Sequence, residues 1–401
     1  MSQLSVILIG FTVPDSDLEV ITLRGGALLT QTHNFAWSFV KSLSDNDMNL
    51  QLISASPVPN FPKYKKILFK PEKFIQQKIS GYKIPFVNIL IAKQFTRFIS
   101  SLIYGIKSCY SKQGNIILVH GVHSPFLAAS LCLKFMFNCK IVVIFTDPPG
   151  RVLSDDGILT AWLKSIDKMV VKGFISRFDG VIGLTKFIGP DYFSSSNTLV
   201  IDGFANSKIK LVDYKEQKEL IVLYAGGLEE EYGILNLIHA VKTMENVTLH
   251  LLGNGSLTTY IKETSLTSSN IKFFGLVSPK KINTFYEEAS VLVNPRPVDN
   301  EFVKYSFPSK TIEYMLTGVP FITSRLPSIS KEYSPFLYYF DSTDVEGIRS
   351  KLKEVQMISF LDRKLKGINA RDFILKTRDT QSQGKKIREY IRNLNKEVEN
   401  V

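Results

Sequence analysis

Cysteine is scarce in this chain: 401 residues hold only Cys109, Cys132 and Cys139. Three cysteines without even spacing make no disulfide framework, so the fold rests on packed cores and a reducing compartment is expected. Long apolar runs are missing too. None reaches the roughly 18 uninterrupted residues of a membrane-spanning helix. The longest apolar region, residues 116–137, is broken by His120, His123, Pro125 and Lys134. The opening residues lack the basic patch of a secretion signal, and residues 6–11 read as a first strand. Neither internal repeats nor low-complexity tracts occur, which excludes repeat architectures.

Acidic residues nearly vanish between residues 61 and 112. Lys63, Lys65, Lys66, Lys70, Lys73, Lys78, Lys83, Lys93, Arg97, Lys107 and Lys112 stand there against Glu72 alone, and they account for most of the net charge of +12. Tyr64, Phe69, Phe74, Tyr82, Phe86, Phe95, Phe98 and Tyr104 are interleaved with them. Basic plus aromatic composition suits nucleic acid or an anionic membrane surface. No nucleic-acid module accompanies it, so the expected partner of residues 61–112 is an anionic membrane surface and not nucleic acid. A solvated lysine-rich face is the plain alternative. A helix over residues 88–107 would carry Lys93, Arg97, Ser100, Ser101 and Lys107 on one side and Ile91, Phe95, Phe98, Leu102 and Ile106 on the other. That apolar stripe either meets lipid or packs on a sheet.

What is present in quantity is alternation. Short β-branched runs at residues 5–11, 50–54, 116–120, 141–145, 180–184 and 198–201 are separated by helix-length segments at 34–43, 88–106, 124–137 and 159–178. This is the pattern of a parallel sheet covered on both faces. It restarts with strands at 221–225, 248–252, 271–274 and 291–294, and helices near 234–243, from 257 and over 280–288. At 44% hydrophobic content, 401 residues suffice for two cores. The reading is an α/β fold of two Rossmann-like domains, divided at a polar, lysine-rich linker over residues 207–219.

The most informative segment is residues 294–320, NPRPVDNEFVKYSFPSKTIEYMLTGVP. It follows an apolar strand and contains a helix that Ser309 is placed to cap, with Gly318 to stop it before Pro320. A strand leading through a loop into a helix N-terminus makes an anion site, because unpaired backbone N–H groups point outward there. Lys310 adds a cation in the first turn, Arg296 adds another from the loop, and Glu313 sits one turn on, where a carboxylate can accept from vicinal hydroxyls. Diphosphate plus ribose fits that set. The competing reading is an ordinary i,i+3 ion pair between Lys310 and Glu313.

The run SFPSKTIEYMLTGVP resembles the donor-site segment of family 4 glycosyltransferases, in the subgroup that builds bacterial surface polysaccharides. Three glycine turns stand where that family has its own: Gly226 and Gly227 in AGGL, Gly253 and Gly255 in LGNG, and Gly275 in FGLV. The resemblance covers residues 221–334 well and the first half only in outline. It implies a GT-B fold, two Rossmann-like domains facing each other across a cleft. The expected divisions are an acceptor domain at 1–205, a nucleotide-sugar domain at 206–375, and a last helix at 376–401 returning to the first domain. It also implies that the N-terminus of the Lys310 helix holds the nucleotide diphosphate and that Glu313 holds the ribose.

Two departures stand out. The family's phosphate-binding Arg and Lys after the first glycine turn fall here on Gly227 and Tyr232, which leaves the neutralisation to Arg296 and Lys310. Eight positions before Glu313, where many members have a second glutamate, stands Tyr305, with Glu301 the nearest carboxylate. In the first domain, Gly25 and Gly26 resemble a glycine loop over the donor phosphates. His120, His123 and Asp147 follow strands at the edge where α/β sheets bind ligands, and are the candidate catalytic groups together with Glu301. The pairs Asp15/Asp17 and Asp45/Asp47 imitate a metal-binding motif but end no donor-domain strand, so no metal or other cofactor is expected.

The resemblance implies sugar transfer from a nucleotide-diphosphate donor to a lipid-linked glycan acceptor, with retained anomeric configuration. The expected setting is peripheral, on the inner face of the bacterial cytoplasmic membrane. Two alternatives stay open: an epimerase-like enzyme on the same fold, and a catalytically silent subunit of a membrane complex.

Overall fold

The computed structural model of the chain describes residues 4–24, 30–110, 115–146, 148–149, 158–193, 197–278, 280–299 and 301–399. The chain divides into two units, residues 1–204 with 380–401, and residues 205–379.

In the first unit the elements follow in the order β1 (Ser5–Gly10), α1 (Asp15–Leu23), α2 (Thr30–Ser44), β2 (Asn49–Ser54), β3 (Leu68–Phe69), β4 (Glu72–Gln76), β5 (Ile79–Lys83), β6 (Phe86–Val87), α3 (Leu90–Tyr110), β7 (Asn115–His120), α4 (Ser124–Phe137), β8 (Lys140–Phe145), α5 (Ile158–Ile175), β9 (Gly180–Gly183), α6 (Ile188–Tyr192) and β10 (Thr198–Val200). Eight strands form one sheet in the order β10-β9-β8-β7-β1-β2-β5-β4. All its pairings are parallel except the β4–β5 hairpin. β1 is buried along its whole length, as a central parallel strand covered on both faces must be. The β3–β6 ribbon and the β4–β5 hairpin, absent from the sequence reading, are short and mix buried residues such as Phe74, Ile79 and Phe86 with exposed ones, so no continuous apolar run marks them.

The second unit runs β11 (Leu220–Gly227), α7 (Ile234–Lys242), β12 (Val247–Asn254), α8 (Thr258–Thr267), β13 (Ile271–Gly275), α9 (Ile282–Glu288), β14 (Val291–Asn294), α10 (Ser309–Thr317), β15 (Phe321–Ser324), β16 (Tyr338–Phe340), α11 (Val345–Met357) and α12 (Phe360–Thr377). Its parallel sheet has the order β13-β12-β11-β14-β15-β16. Val222, Leu249, Leu251, Val291 and Val293 share one core with Ile234, Leu237 and Ile238 of α7 and Ile348 and Leu352 of α11.

The last helix, α13 (Thr380–Glu399), is part of the first unit. Its Ile387, Ile391 and Leu394 join Trp37, Phe39, Val40 and Leu43 of α2 over the sheet residues Val6, Leu8, Leu118 and Val142. Burial of each such side chain contributes about 1.5–3 kcal/mol. Gln383 Nε2 donates to the Gly203 carbonyl at 2.9 Å and fixes the point of return.

α3 is amphipathic with its polarity reversed. Its buried positions are Lys93, Arg97, Ser100, Ser101, Gly105, Ser108 and Cys109, whereas Ile91 is 82% and Phe95 64% exposed. The apolar stripe therefore does not pack on the sheet. Hydrogen bonds hold the polar side instead: Lys93 Nζ donates to the Val58 carbonyl (2.6 Å) and to Asn60 Oδ1 (3.0 Å), Arg97 Nη2 to the Ser56 carbonyl (2.7 Å), and Ser100 to the Pro85 carbonyl (2.7 Å).

Candidate functional site

The candidate donor site gathers at the carboxyl ends of β11, β12 and β14. Gly226 and Gly253 face each other in register, as do Gly227 and Asn254. Gly253 has φ +137°, and a Cβ there would collide with the Gly226 carbonyl oxygen, so only glycine closes this pair. Gly255 follows β12 and Gly275 ends β13 along the same edge.

α10 points its N-terminus at this edge. The N-cap position belongs to Pro308, held extended (φ −71°, ψ 108°), and no side chain caps the helix. Ser309 is the first helical residue and is exposed, so the cap expected of it is not formed; the fixed φ of Pro308 suits it to the half-in position. Lys310 turns inward. Its Nζ donates to the Ala225 carbonyl, and its side chain occupies the space a Cβ on Gly226 would need. Tyr314 closes the other side, its hydroxyl donating to the Ala225 carbonyl (3.0 Å) and accepting from the Ala225 N–H (3.0 Å). The rings of Tyr314 and Tyr224 lie 5.5 and 5.9 Å from the ammonium. Burial pushes the Lys310 pKa down, with Glu313 opposing the shift.

Lys310 and Glu313 are not an ion pair. Glu313 instead accepts from the Tyr286 hydroxyl at 3.1 Å, and burial, reinforced by Glu313, pushes that phenol's pKa up. Arg296 lies over the Tyr232 ring, 5.5 Å from its centroid. Tyr305 is buried, with Lys304 Nζ 4.8 Å from its ring centroid. Glu301 starts a 3₁₀ turn, Glu301–Lys304, and its side chain lies outside the described residues. Tyr224, Tyr286 and Tyr314, which position the two charged groups, escape a sequence reading because each looks like an ordinary core aromatic.

In the first unit, Gly26 and Asp147 lie outside the described residues. His120 ends β7, buried beside Phe35 (6.0 Å between centroids), with neither ring nitrogen partnered among the described residues; burial lowers its pKa to about 4. His123 packs against Phe11 and Phe126, and Arg97 Nη1 lies 3.4 Å from its Nε2. Burial, then Arg97 and Lys93, lower its pKa to about 3. Both imidazoles are neutral at physiological pH, so either would act as a base or acceptor rather than as a cation. The acidic pairs are used locally. Asp15 pairs with His33 (2.7 Å) and Asp17 with Lys83 (2.9 Å). Asp45 pairs with Lys41, and Asp47 takes a left-handed turn at φ 57°.

Residues 219–355, which contain the candidate donor edge, match the family described as Glycosyl transferases group 1. The chain is a glycosyltransferase. Its fold is GT-B, two Rossmann-like domains. Sucrose-phosphate synthase from Thermosynechococcus elongatus superposes with TM-score 0.63 at 14% identity, over 98% of this chain and 99% of that one. The lipopolysaccharide outer core galactosyltransferase WaaB gives 0.62 at 12% identity, over 97% and 99%. A variant of S. aureus TarM, in complex with Fondaparinux, alpha-GlcNAc-glycerol and UDP, gives 0.59 at 14% identity, over 96% and 99%. At these identities the likeness is one of fold. No curated protein matches the chain in sequence.

Proposed function

We propose that this glycosyltransferase moves a sugar, with retention of configuration, from a nucleoside diphosphate donor to a hydroxyl of a polyprenyl-diphosphate-linked glycan. It would work as a family 4 enzyme of bacterial surface-polysaccharide synthesis, peripheral to the inner face of the cytoplasmic membrane. The observation that carries the donor reading is the uncapped start of α10, with Lys310 held at the Ala225–Gly226 edge without a carboxylate bonded to it. A half-buried cation bonded to a carbonyl and flanked by two rings gains from an anion beside it. A donor diphosphate supplies that charge. The N–H groups of Ser309 and Lys310, with Arg296, would stabilise the charge that develops on the leaving diphosphate. Glu313, oriented by Tyr286, would take the ribose hydroxyls.

The test is incubation of the pure protein with a panel of nucleotide sugars, reading nucleotide release with and without a lipid-linked acceptor. Acceptor-dependent release is expected. Turnover of the sugar without acceptor would favour an epimerase-like enzyme, and no turnover of any donor would favour a silent subunit.

The same reading expects no metal requirement, because Arg296 and Lys310 would supply the positive charge beside the leaving diphosphate. Activity should survive excess EDTA. Loss in chelator with rescue by manganese or magnesium would overturn this.

A further inference from the structure

α3 presents to solvent the side that a helix in water buries. Leu90 is 49%, Ile91 82%, Phe95 64% and Ile103 46% exposed, with Phe98, Ile99, Leu102 and Ile106 half-buried along the same stripe. The helix cannot roll to hide them without detaching Lys93, Arg97 and Ser100 from the carbonyls of Val58, Ser56 and Pro85. The stripe continues past the start of α3. Asn88, two residues before it, is tied to the preceding loop, donating from its backbone to the Ile67 carbonyl (2.7 Å) and from its side chain to the Lys66 carbonyl (3.2 Å). Phe61 (45% exposed), Leu68 (65%) and Ile89 (48%) thus stand among the exposed Lys63, Lys65, Lys66 and Lys70.

We infer that this stripe, together with the Lys63–Lys70 loop at its N-terminal end, is the surface by which the chain enters an anionic lipid bilayer. The inference rests on the membrane-linked acceptor of the proposed function. Charge selects the occupant. A second copy would set the same lysines against each other, whereas an anionic leaflet neutralises them and takes up the apolar side chains. The helix would lie in the interface, because no helix among the described residues is long and apolar enough to cross a membrane. Its N-terminal half also carries Arg97, whose Nη1 lies 3.4 Å from His123 Nε2. Docking would therefore bring the candidate catalytic His123 close to the lipid.

The test uses the full chain and vesicles of phosphatidylcholine with and without phosphatidylglycerol. The parent should sediment with the anionic vesicles and keep a bound fraction in molar salt, where Coulomb attraction is screened. Ile91→Glu with Phe95→Glu should remove that fraction and weaken partitioning by roughly tenfold or more. Lys63, Lys65, Lys66 and Lys70 changed to Glu should remove most of the low-salt binding. Both apolar positions are exposed, and an unchanged thermal midpoint will show that the fold is intact. Phe95→Trp should also be quenched by brominated lipid beyond the parent, whose own tryptophans are Trp37 and Trp162.

Unchanged partitioning of the Ile91/Phe95 variant, or no added quenching of Phe95→Trp, overturns the inference. So does a parent dimer that Phe95→Glu makes monomeric while vesicle binding stays absent. A parent that transfers sugar but binds no vesicle fails here and keeps the transfer reading. A parent that binds through α3 but turns over no donor does the reverse.

Discussion

Lys310→Ala should weaken binding of a free nucleoside diphosphate by roughly 1.5–3 kcal/mol, the worth of a hydrogen bond to a charged group. The ammonium is already fixed between the Ala225 carbonyl and two tyrosine rings, so little side-chain entropy is lost when the anion arrives. Glu313→Ala should weaken the same ligand through its ribose. Tyr286→Phe should have a smaller effect in the same direction, because it frees the carboxylate that Tyr286 orients. Calorimetry with the nucleoside diphosphate measures all three. Parent-like affinity in both Lys310→Ala and Glu313→Ala would move the donor site elsewhere.

Raising the pH from 7 to about 10 should stabilise the first unit, through Lys93. Burial, and to a lesser degree Arg97, lower its pKa from 10.5 to about 7 in the folded chain. Across that window the unfolded chain holds the proton and the folded chain has released it, so stability rises with pH and is lowest below pH 7. The difference between the two pKa values amounts to a few kcal/mol in order of magnitude. Lys93→Met removes the titrating group and keeps the stem's packing, so its stability should rise much less over the same range. Urea unfolding of parent and variant at pH 7 and 9.5 decides the matter. Equal gains in the two proteins would assign the pH dependence to other groups.

Most strands of the two sheets are legible in the sequence because parallel strands buried on two faces read as continuous β-branched runs; β1, β7, β8 and β11 are found within a residue or two of their observed ends. β15 (Phe321–Ser324) and β16 (Tyr338–Phe340) are absent from the sequence reading. Helix α10 is legible from local chemistry alone, through Lys310 and Glu313 near its start and Gly318 at its end. Its tyrosines are not, because a buried tyrosine that holds a charge has the same local signature as one that only fills space.

By itself the sequence determined which residues are candidates for a diphosphate and ribose site, and that the chain builds two mostly parallel sheets. Those properties depend on residue type, spacing and short-range backbone preference. Tertiary structure alone decided that Lys310 and Glu313 serve separate partners rather than each other, and that α3 turns its lysine, arginine and serines inward. A helix's periodicity fixes which side chains share a face, but which face is buried depends on the acceptors that the rest of the fold offers. Here those acceptors are the carbonyls of Ser56, Val58 and Pro85, brought beneath α3 only when the chain has folded.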